Sequence, residues 1–435
     1  MTLHMRRILC AVAALLAASL FPLSEVQFAP ARAQIFGGPD HARSAAAQGT
    51  KRPAPKRAAK PQAPPPVAES KLPPRIPFTA AEDAASIIPG IPEARFWADS
   101  ETDYRNALPS KPGPWLILSS GGEDGAFGAG LLTGLTAGGK RPDYTVVTGV
   151  STGSLMAPFA FAGPRYDEAM RKAYTEVTAA DIFEAGQSTG ESFVSSWPLR
   201  DLIAKQITPE LFNDIAAEYH RDRRLFVVSY DLDAERAVVW NMGAIAAHGG
   251  DDALNLFRTV LLASASIPGA FPPVLIDVEA NGKRFAEMHA DGGIGGQFFV
   301  APAALMATSS DYRVPATQLD IVVNTDLERD FKVVERFAPS ILTQSVSAAV
   351  KVDTRLMLTL AQAVAKRSGI GFNVASIPPS FNAPSKGPFD PGYMKALFQV
   401  GYEQGRGDTA FSTEPPPYPR EPKPPPSHVQ KTGAN

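Results

Sequence analysis

The order of elements between residues 113 and 161 constrains this chain most. Residues 113–120 (GPWLILSS) form a short apolar run ending in small residues, which reads as a buried strand. A glycine-rich turn follows at 121–125. Residues 126–137 then place Phe127, Leu131, Leu132 and Leu135 on one side, as a helix would. Residues 144–150 (YTVVTGV) are a second, β-branched strand, and 151–161 are a second helix. Strand, turn and helix repeated in this way call for a parallel sheet, because parallel neighbours need a long crossover and the helix supplies it. The expected fold class is α/β, three layers, with a mostly parallel central sheet flanked by helices. Further strands are expected at 225–230, 237–241, 274–278, 284–289 and 319–324, and helices at 251–262 and 339–366. A last helix is marked by Asp390 as N-cap, Pro391 in its first turn, and Tyr393, Leu397 and Val400 on its apolar face. No internal repeat is visible.

The ends of the chain read differently. Of 435 residues, 44% are hydrophobic and 20% charged, which excludes a wholly disordered or fibrous chain. The 41 prolines are concentrated near the two ends. Arg6 and Arg7 precede an apolar stretch, 8–21, too short to span a membrane comfortably, and Ala31-Arg32-Ala33 is an A-x-A cleavage site. Residues 1–33 therefore read as a signal peptide, and the protein as exported: periplasmic, envelope-associated or secreted. An uncleaved anchor is the other reading, and the arginine pair permits twin-arginine export. Residues 34–79 are an extended, proline-rich, basic linker. It is either a solvated spacer or a tether to an anionic membrane or envelope surface, where each basic residue contributes ~1 kcal/mol. Residues 80–412 are the folded domain and 413–435 a proline-rich tail. The net charge of −2 gives no reason to expect nucleic acid. The one cysteine, Cys10, rules out an intramolecular disulfide and a cysteine-based zinc site.

The chemistry starts at Gly149-Val150-Ser151-Thr152-Gly153, a G-x-S-x-G. A serine on a tight strand-to-helix turn needs small neighbours, so that its hydroxyl stands clear. A strand precedes this motif and a helix follows it, which makes Ser151 the candidate nucleophile; a plain glycine turn is the bland alternative. The earlier turn, Ser120 to Gly125, lies at the same carboxyl edge of a parallel sheet. Its glycines let backbone N–H groups point into a shared cavity, as an oxyanion hole requires. A nucleotide-phosphate loop is disfavoured, because Glu123 and Asp124 repel phosphate and no Lys-Ser or Lys-Thr follows. The serine also needs a base. His220, His248, His289 and His428 follow Ser151, and none is obviously placed for the role. A His-dependent esterase resting on His289 stays open as an alternative. Asp291-Gly292-Gly293 closes a strand-like segment and offers a carboxylate on a loop tip, although Asp followed by two glycines can also be a mere turn.

Taken together, the glycine-rich loop, the G-x-S-x-G elbow and the D-G-G motif resemble the patatin-like phospholipase family. The segment 263–274 (ASASIPGAFPPV) resembles the family's A-S-x-x-x-P-x-x-F-P-P run before the aspartate. The resemblance covers about 115–293 and continues loosely to the last helix. It implies a patatin-like fold and lipid or acyl-ester hydrolysis without a cofactor or metal. In the implied roles Ser151 is the nucleophile, Asp291 its base, and the N–H groups of Gly121 and Gly122 the oxyanion hole. Ser120, Gly125, Gly149, Gly153, Gly292 and Gly293 support the motifs. Two positions depart from the family pattern: Ser120 replaces the loop's first glycine and Asp124 its basic residue. The lost positive charge puts phosphate-bearing head groups in question and leaves neutral lipids and other acyl esters. The two acids would complement the following helix N-terminus. A non-catalytic envelope-binding protein with the same fold is the competing class. The apolar stretch 254–273 would line an acyl channel or simply fill the core.

Overall fold

The computed structural model describes residues 74–417, except 186–190, 193, 308–309, 329–330 and 332. The expected signal peptide, nearly all of the linker and most of the tail lie outside the described residues. Contacts of the folded body reach past both expected boundaries. Arg75 donates to Asp233 Oδ1 at 2.9 Å and Phe78 stacks on Phe285, while Arg355 holds the Pro416 and Pro417 carbonyls.

Nine strands make one sheet: β1 (Arg95–Trp97), β2 (Gly113–Leu118), β3 (Val146–Val150), β4 (Arg224–Asp231), β5 (Arg236–Asn241), β6 (Val274–Ala280), β7 (Lys283–Asp291), β8 (Ala316–Val323) and β9 (Gly371–Ser376). Their order is β1-β5-β4-β3-β2-β8-β9, and the β6–β7 hairpin joins through β7 to β4. The five strands from β4 to β9 are parallel, as the strand–helix order requires, whereas β1, β5, β6 and β7 pair antiparallel. The sheet is therefore mixed.

Alternation along β2 shows why the chain builds three layers. Leu116 and Leu118 enter the core on one face, with Phe127, Val147, Met156 and Leu397. Trp115 and Ile117 enter the core on the other, with Val146, Val150, Ile321 and Leu358. Period-two alternation with apolar residues on both sides is what a sheet covered on both faces needs. The helices used below are α1 (Gly125–Ala137), α2 (Thr152–Ala162), α3 (Gly250–Ser264), α4 (Ala338–Ser368) and α5 (Pro391–Arg406). Asp390 caps α5, accepting from the Gly392 N–H at 2.9 Å. The buried face of α5 is Met394, Leu397 and Phe398, with Val400 only half-buried. Among the described residues no helix is long and apolar enough to cross a membrane.

The register between β3, β4 and β7 positions Ser151 and Asp291. Strand β3 pairs with β4 up to Val150 opposite Val228, and there β3 ends. The next residue of β4, Ser229, pairs instead with Asp291, the last residue of β7. Thus β7 runs antiparallel into the slot beyond the end of β3. Ser151 and Asp291 arrive from opposite directions at the same point.

Candidate active site

Ser151 sits between β3 and α2 with φ 54° and ψ −122°. A side-chain-bearing residue adopts such angles only where its surroundings hold it there. Tight packing supplies that hold. A Cβ on Gly149 would lie 2.4 Å from the Gly153 carbonyl oxygen, and one on Gly153 would lie 2.5 Å from that of Leu118. Both contacts are with backbone, which cannot swing away, so glycine is required on each side of the serine. The Ser151 N–H donates to Ser264 Oγ at 3.1 Å, and Ser264 Oγ donates to the Val228 carbonyl at 2.6 Å. Ser154 Oγ donates to the Ser151 carbonyl at 2.6 Å.

The elbow presents Ser151 Oγ to Asp291. The hydroxyl donates to Asp291 Oδ2 at 2.6 Å, and both side chains are buried. The other carboxylate oxygen, Oδ1, accepts the Gly293 N–H at 2.7 Å. The Asp291 N–H donates to the Ser266 carbonyl at 2.8 Å, so the segment 264–266 braces both members of the pair. Gly292 lets its turn lie on the Val228 carbonyl, 2.3 Å from where a Cβ would stand. Burial pushes the Asp291 carboxyl up to about 6, against the opposing effect of the bonds from Ser151 and Gly293. His289, two residues earlier, does not reach the serine. Its ring is buried against Ser229 Oγ at 3.0 Å and Glu287 Oε2 at 3.2 Å.

The glycine-rich loop lies against the same elbow. A Cβ on Gly125 would come within 2.3 Å of Thr152 Oγ1. Among the described residues no protein acceptor takes the N–H groups of Gly121 and Gly122. Ser120 differs, because its N–H is occupied by the Gln297 carbonyl at 2.8 Å. The Ser120 hydroxyl also bonds Gln297 Oε1, and Gln297 Nε2 donates to the Gly293 carbonyl at 3.0 Å. Gln297 therefore ties the two loops together. Asn324, at the carboxyl end of β8, holds the loop from behind. Its N–H donates to Ser119 Oγ at 2.8 Å, and its Nδ2 donates to the Ser119 carbonyl at 3.0 Å.

The acids of the loop precede α1 without capping it. Asp124 makes no side-chain cap; it accepts from Tyr393 Oη at 2.6 Å, and Glu123 accepts the Phe389 N–H. Burial raises Asp124 to about 7. Both acids thus anchor the loop to the start of α5. The sequence reading missed Gln297 and Asn324. Asn324 carried one usable signal, a polar residue closing an apolar strand at the sheet edge where sites form.

A cavity of about 500 Å³ adjoins the elbow, with Val150, Val228, Ile294, Phe298, Met357 and Leu360 in its wall. The stretch 254–273 does not form this wall. Leu254, Phe257, Val260 and Leu261 of α3 fill the core instead. Neither Ser151 nor Asp291 is in the wall of this cavity or of a second one, about 640 Å³, walled in part by Arg75, Phe78, Asp83 and Asp233.

No curated protein matches this chain. Among solved structures, VipD from Legionella pneumophila aligns with a TM-score of 0.36 and 13% identity, over 68% of this chain and 66% of that one. The alignment thus spans slightly less than two-thirds of that protein's length. Residues 116–304 match the family model of patatin-like phospholipase, and the loop, the elbow and the D-G-G turn all lie within that match in the expected order. The chain therefore carries a patatin-like phospholipase domain.

Proposed function

We propose that the protein is an exported serine acyl hydrolase that cleaves carboxylic ester bonds of lipids through a Ser151–Asp291 dyad. The observation that carries this reading is the 2.6 Å bond from a serine on a strained elbow to a buried carboxylate. In the proposed sequence Ser151 Oγ attacks the ester carbonyl carbon while its proton passes to Asp291 Oδ2. The oxyanion that forms faces the free N–H groups of Gly121 and Gly122 and the amino end of α2. Collapse breaks the bond to the alcohol, which leaves with the proton held by Asp291. Asp291 then deprotonates a water, the water attacks the acyl-serine, and the proton returns to Ser151. A carboxylate titrating near 6 suits this work: it is ionised at neutral pH, yet more basic than an ordinary aspartate. The cavity beside Val150, apolar at Val150, Val228, Phe298, Met357 and Leu360 and charged at Asp99, Glu235, Arg236 and Asp353, is the proposed seat of the acyl chain. With Asp124 in place of a basic residue, neutral acyl esters are the proposed substrates rather than phosphate-bearing ones.

The test is hydrolysis of short p-nitrophenyl esters, together with labelling by a fluorophosphonate probe. Wild type should be labelled on Ser151. Ser151→Ala and Asp291→Asn should each lower kcat/KM by about 10³-fold or more while circular dichroism stays unchanged. An unlabelled wild type, or a fully active variant of either kind, would overturn the dyad.

A further inference from the structure

A second polar centre lies on the strand that delivers Asp291. The β4–β7 register sets Asp231 opposite His289, and Glu287 stands two residues earlier on β7, on the same side of the sheet. One ligand atom from each of Asp231, Glu287 and His289 lies within 4.8 Å of the other two, and all three residues are 0% exposed. Asp83, from the short helix Ala80–Ala84, is buried beside them and is repelled by both Asp231 and Glu287.

Glu287 is held at both oxygens, by Arg95, Ser86 Oγ and His289, but two other carboxylate oxygens of this centre have no partner. Asp231 Oδ1 accepts the N–H groups of Asp233 at 2.8 Å and Ala234 at 3.2 Å, but its buried Oδ2 has no partner. Asp83 Oδ1 is likewise buried without one. A buried carboxylate oxygen left bare loses its hydration for nothing in return, so such atoms ordinarily face a donor or a cation. The charges do not close either. Asp231, Asp233 and Glu287 bring three carboxylates, and burial beside them pushes the Asp83 carboxyl up to about 7. Two guanidiniums answer them: Arg75 on Asp233 Oδ1 at 2.9 Å and Arg95 on Glu287 Oε1 at 2.8 Å. The carboxylates thus outnumber the guanidiniums, an imbalance that a cation answers.

The imidazole is set up as a ligand. Ser229 Oγ accepts the Trp240 indole N–H at 2.8 Å and meets His289 Nδ1 at 3.0 Å, which fixes the ring with Nε2 toward Glu287 Oε2 at 3.2 Å. Ligating histidines characteristically have the second nitrogen held in this way. A separation of 3.2 Å is close to the edge of a tetrahedron whose ligands stand ~2.0 Å from a central ion, roughly 3.3 Å. Asp83 also lies in the wall of the cavity of about 640 Å³, which gives a cation access from outside.

We infer that Asp231, Glu287 and His289, with Asp83 buried beside them, bind a divalent transition cation, zinc or manganese, which fixes β7 and hence the backbone carrying Asp291. The mixed imidazole and carboxylate donors favour these ions over calcium or magnesium, which prefer oxygen alone. The full-length protein, stripped with a chelator and dialysed, would be titrated calorimetrically with ZnCl₂, MnCl₂, CaCl₂ and MgCl₂ and melted with each. One equivalent of zinc or manganese should bind and raise Tm, while calcium and magnesium leave it unchanged. Asp231→Asn should bind at least about tenfold more weakly. Ser151→Ala should bind as wild type does, which separates this inference from the proposed hydrolysis. Absence of one-to-one zinc or manganese binding by wild type, equal binding by Asp231→Asn, or binding of calcium or magnesium alone would overturn it. Should Asp231→Asn not fold, His289→Gln takes its place under the same criterion.

Discussion

At the scale of single residues, Asp291 is pulled two ways. Burial raises its carboxyl to about 6, so the folded protein holds a proton there between about pH 4 and 6, where an unfolded chain with an ordinary aspartate, near 3.9, has released it. Its contribution to stability is therefore greatest in acid and is lost as pH rises through 6. Ester hydrolysis needs the ionised form and should behave oppositely, with kcat/KM falling below an apparent pKa near 6. Ionised at pH 8, the buried group costs about 2–3 kcal/mol. Asp291→Asn should accordingly melt at a higher temperature than wild type at pH 8, with the gap closing toward pH 4, while remaining inactive. Equal melting temperatures at pH 8 would mean that the carboxylate is not desolvated. Both members of this pair were legible in the sequence, because G-x-S-x-G and D-G-G are local patterns with local steric causes. Gln297 and Asn324 were not, since their bonds to Ser120 and Ser119 cross 177 and 205 residues of chain. The Asp231–Glu287–His289 centre was equally hidden. It exists only through the antiparallel register of β4 and β7, and no sequence spacing encodes that register.

At the scale of elements, the contact between α1 and α5 decides where the loop before α1 can sit. Each helix brings two glycines four residues apart. A Cβ on Gly130 would stand 2.0 Å from the Phe398 carbonyl oxygen, and one on Gly134 2.1 Å from that of Tyr402. In return, a Cβ on Gly401 would stand 2.1 Å from the Phe127 oxygen, and one on Gly405 2.2 Å from that of Leu131. The backbones touch, with no side chain between them. Gly401→Ala must push the helices apart along their length, and should cost about 3 kcal/mol or more in a denaturant melt. Lys395→Ala, on the exposed side of α5, should stay within about 0.5 kcal/mol of wild type. A near-neutral Gly401→Ala would show that this interface has slack. The same contact explains why the apolar face of α5 was only partly read. Hydrophobic periodicity pointed to Tyr393, Leu397 and Val400, but the face that packs is centred on Gly401 and Gly405, which carry no hydrophobic signal. The two-residue G-x-x-x-G spacing in both helices was the available clue. By contrast, β2, β3, α1 and α2 were legible because short apolar or β-branched runs alternate there with helix-period segments across glycine-bearing turns. Strand β9 was not, because Gly371, Asn373 and Ser376 break up its buried apolar residues Phe372, Val374 and Ala375.

At the scale of the whole molecule, the family match and the folding unit have different limits. The match stops at residue 304, but β8, β9, α4 and α5 all follow it. Strand β8 lies between β2 and β9, so a chain ending near 304 would leave β2 as a bare edge carrying Trp115 and Ile117. It would also uncover the glycine face of α1, and remove Asn324 and Tyr393 from the loop that holds Gly121 and Gly122. Leu319, Ile321, Val323, Leu358, Leu397 and Phe398 are buried and all lie beyond residue 304. At ~2 kcal/mol for each buried side chain, these six alone are comparable to the ~5–15 kcal/mol by which whole domains are stable. A fragment of residues 74–306 should therefore be insoluble or unfolded, through edge pairing as well as lost stability. A fragment of residues 74–417 should melt cooperatively and react with a fluorophosphonate at Ser151. The decisive measurements are solubility after expression and a melt followed by circular dichroism. A soluble, cooperatively melting 74–306 fragment would show that the sheet is complete without β8 and β9, and that the glycine contact of α1 with α5 is dispensable to the fold.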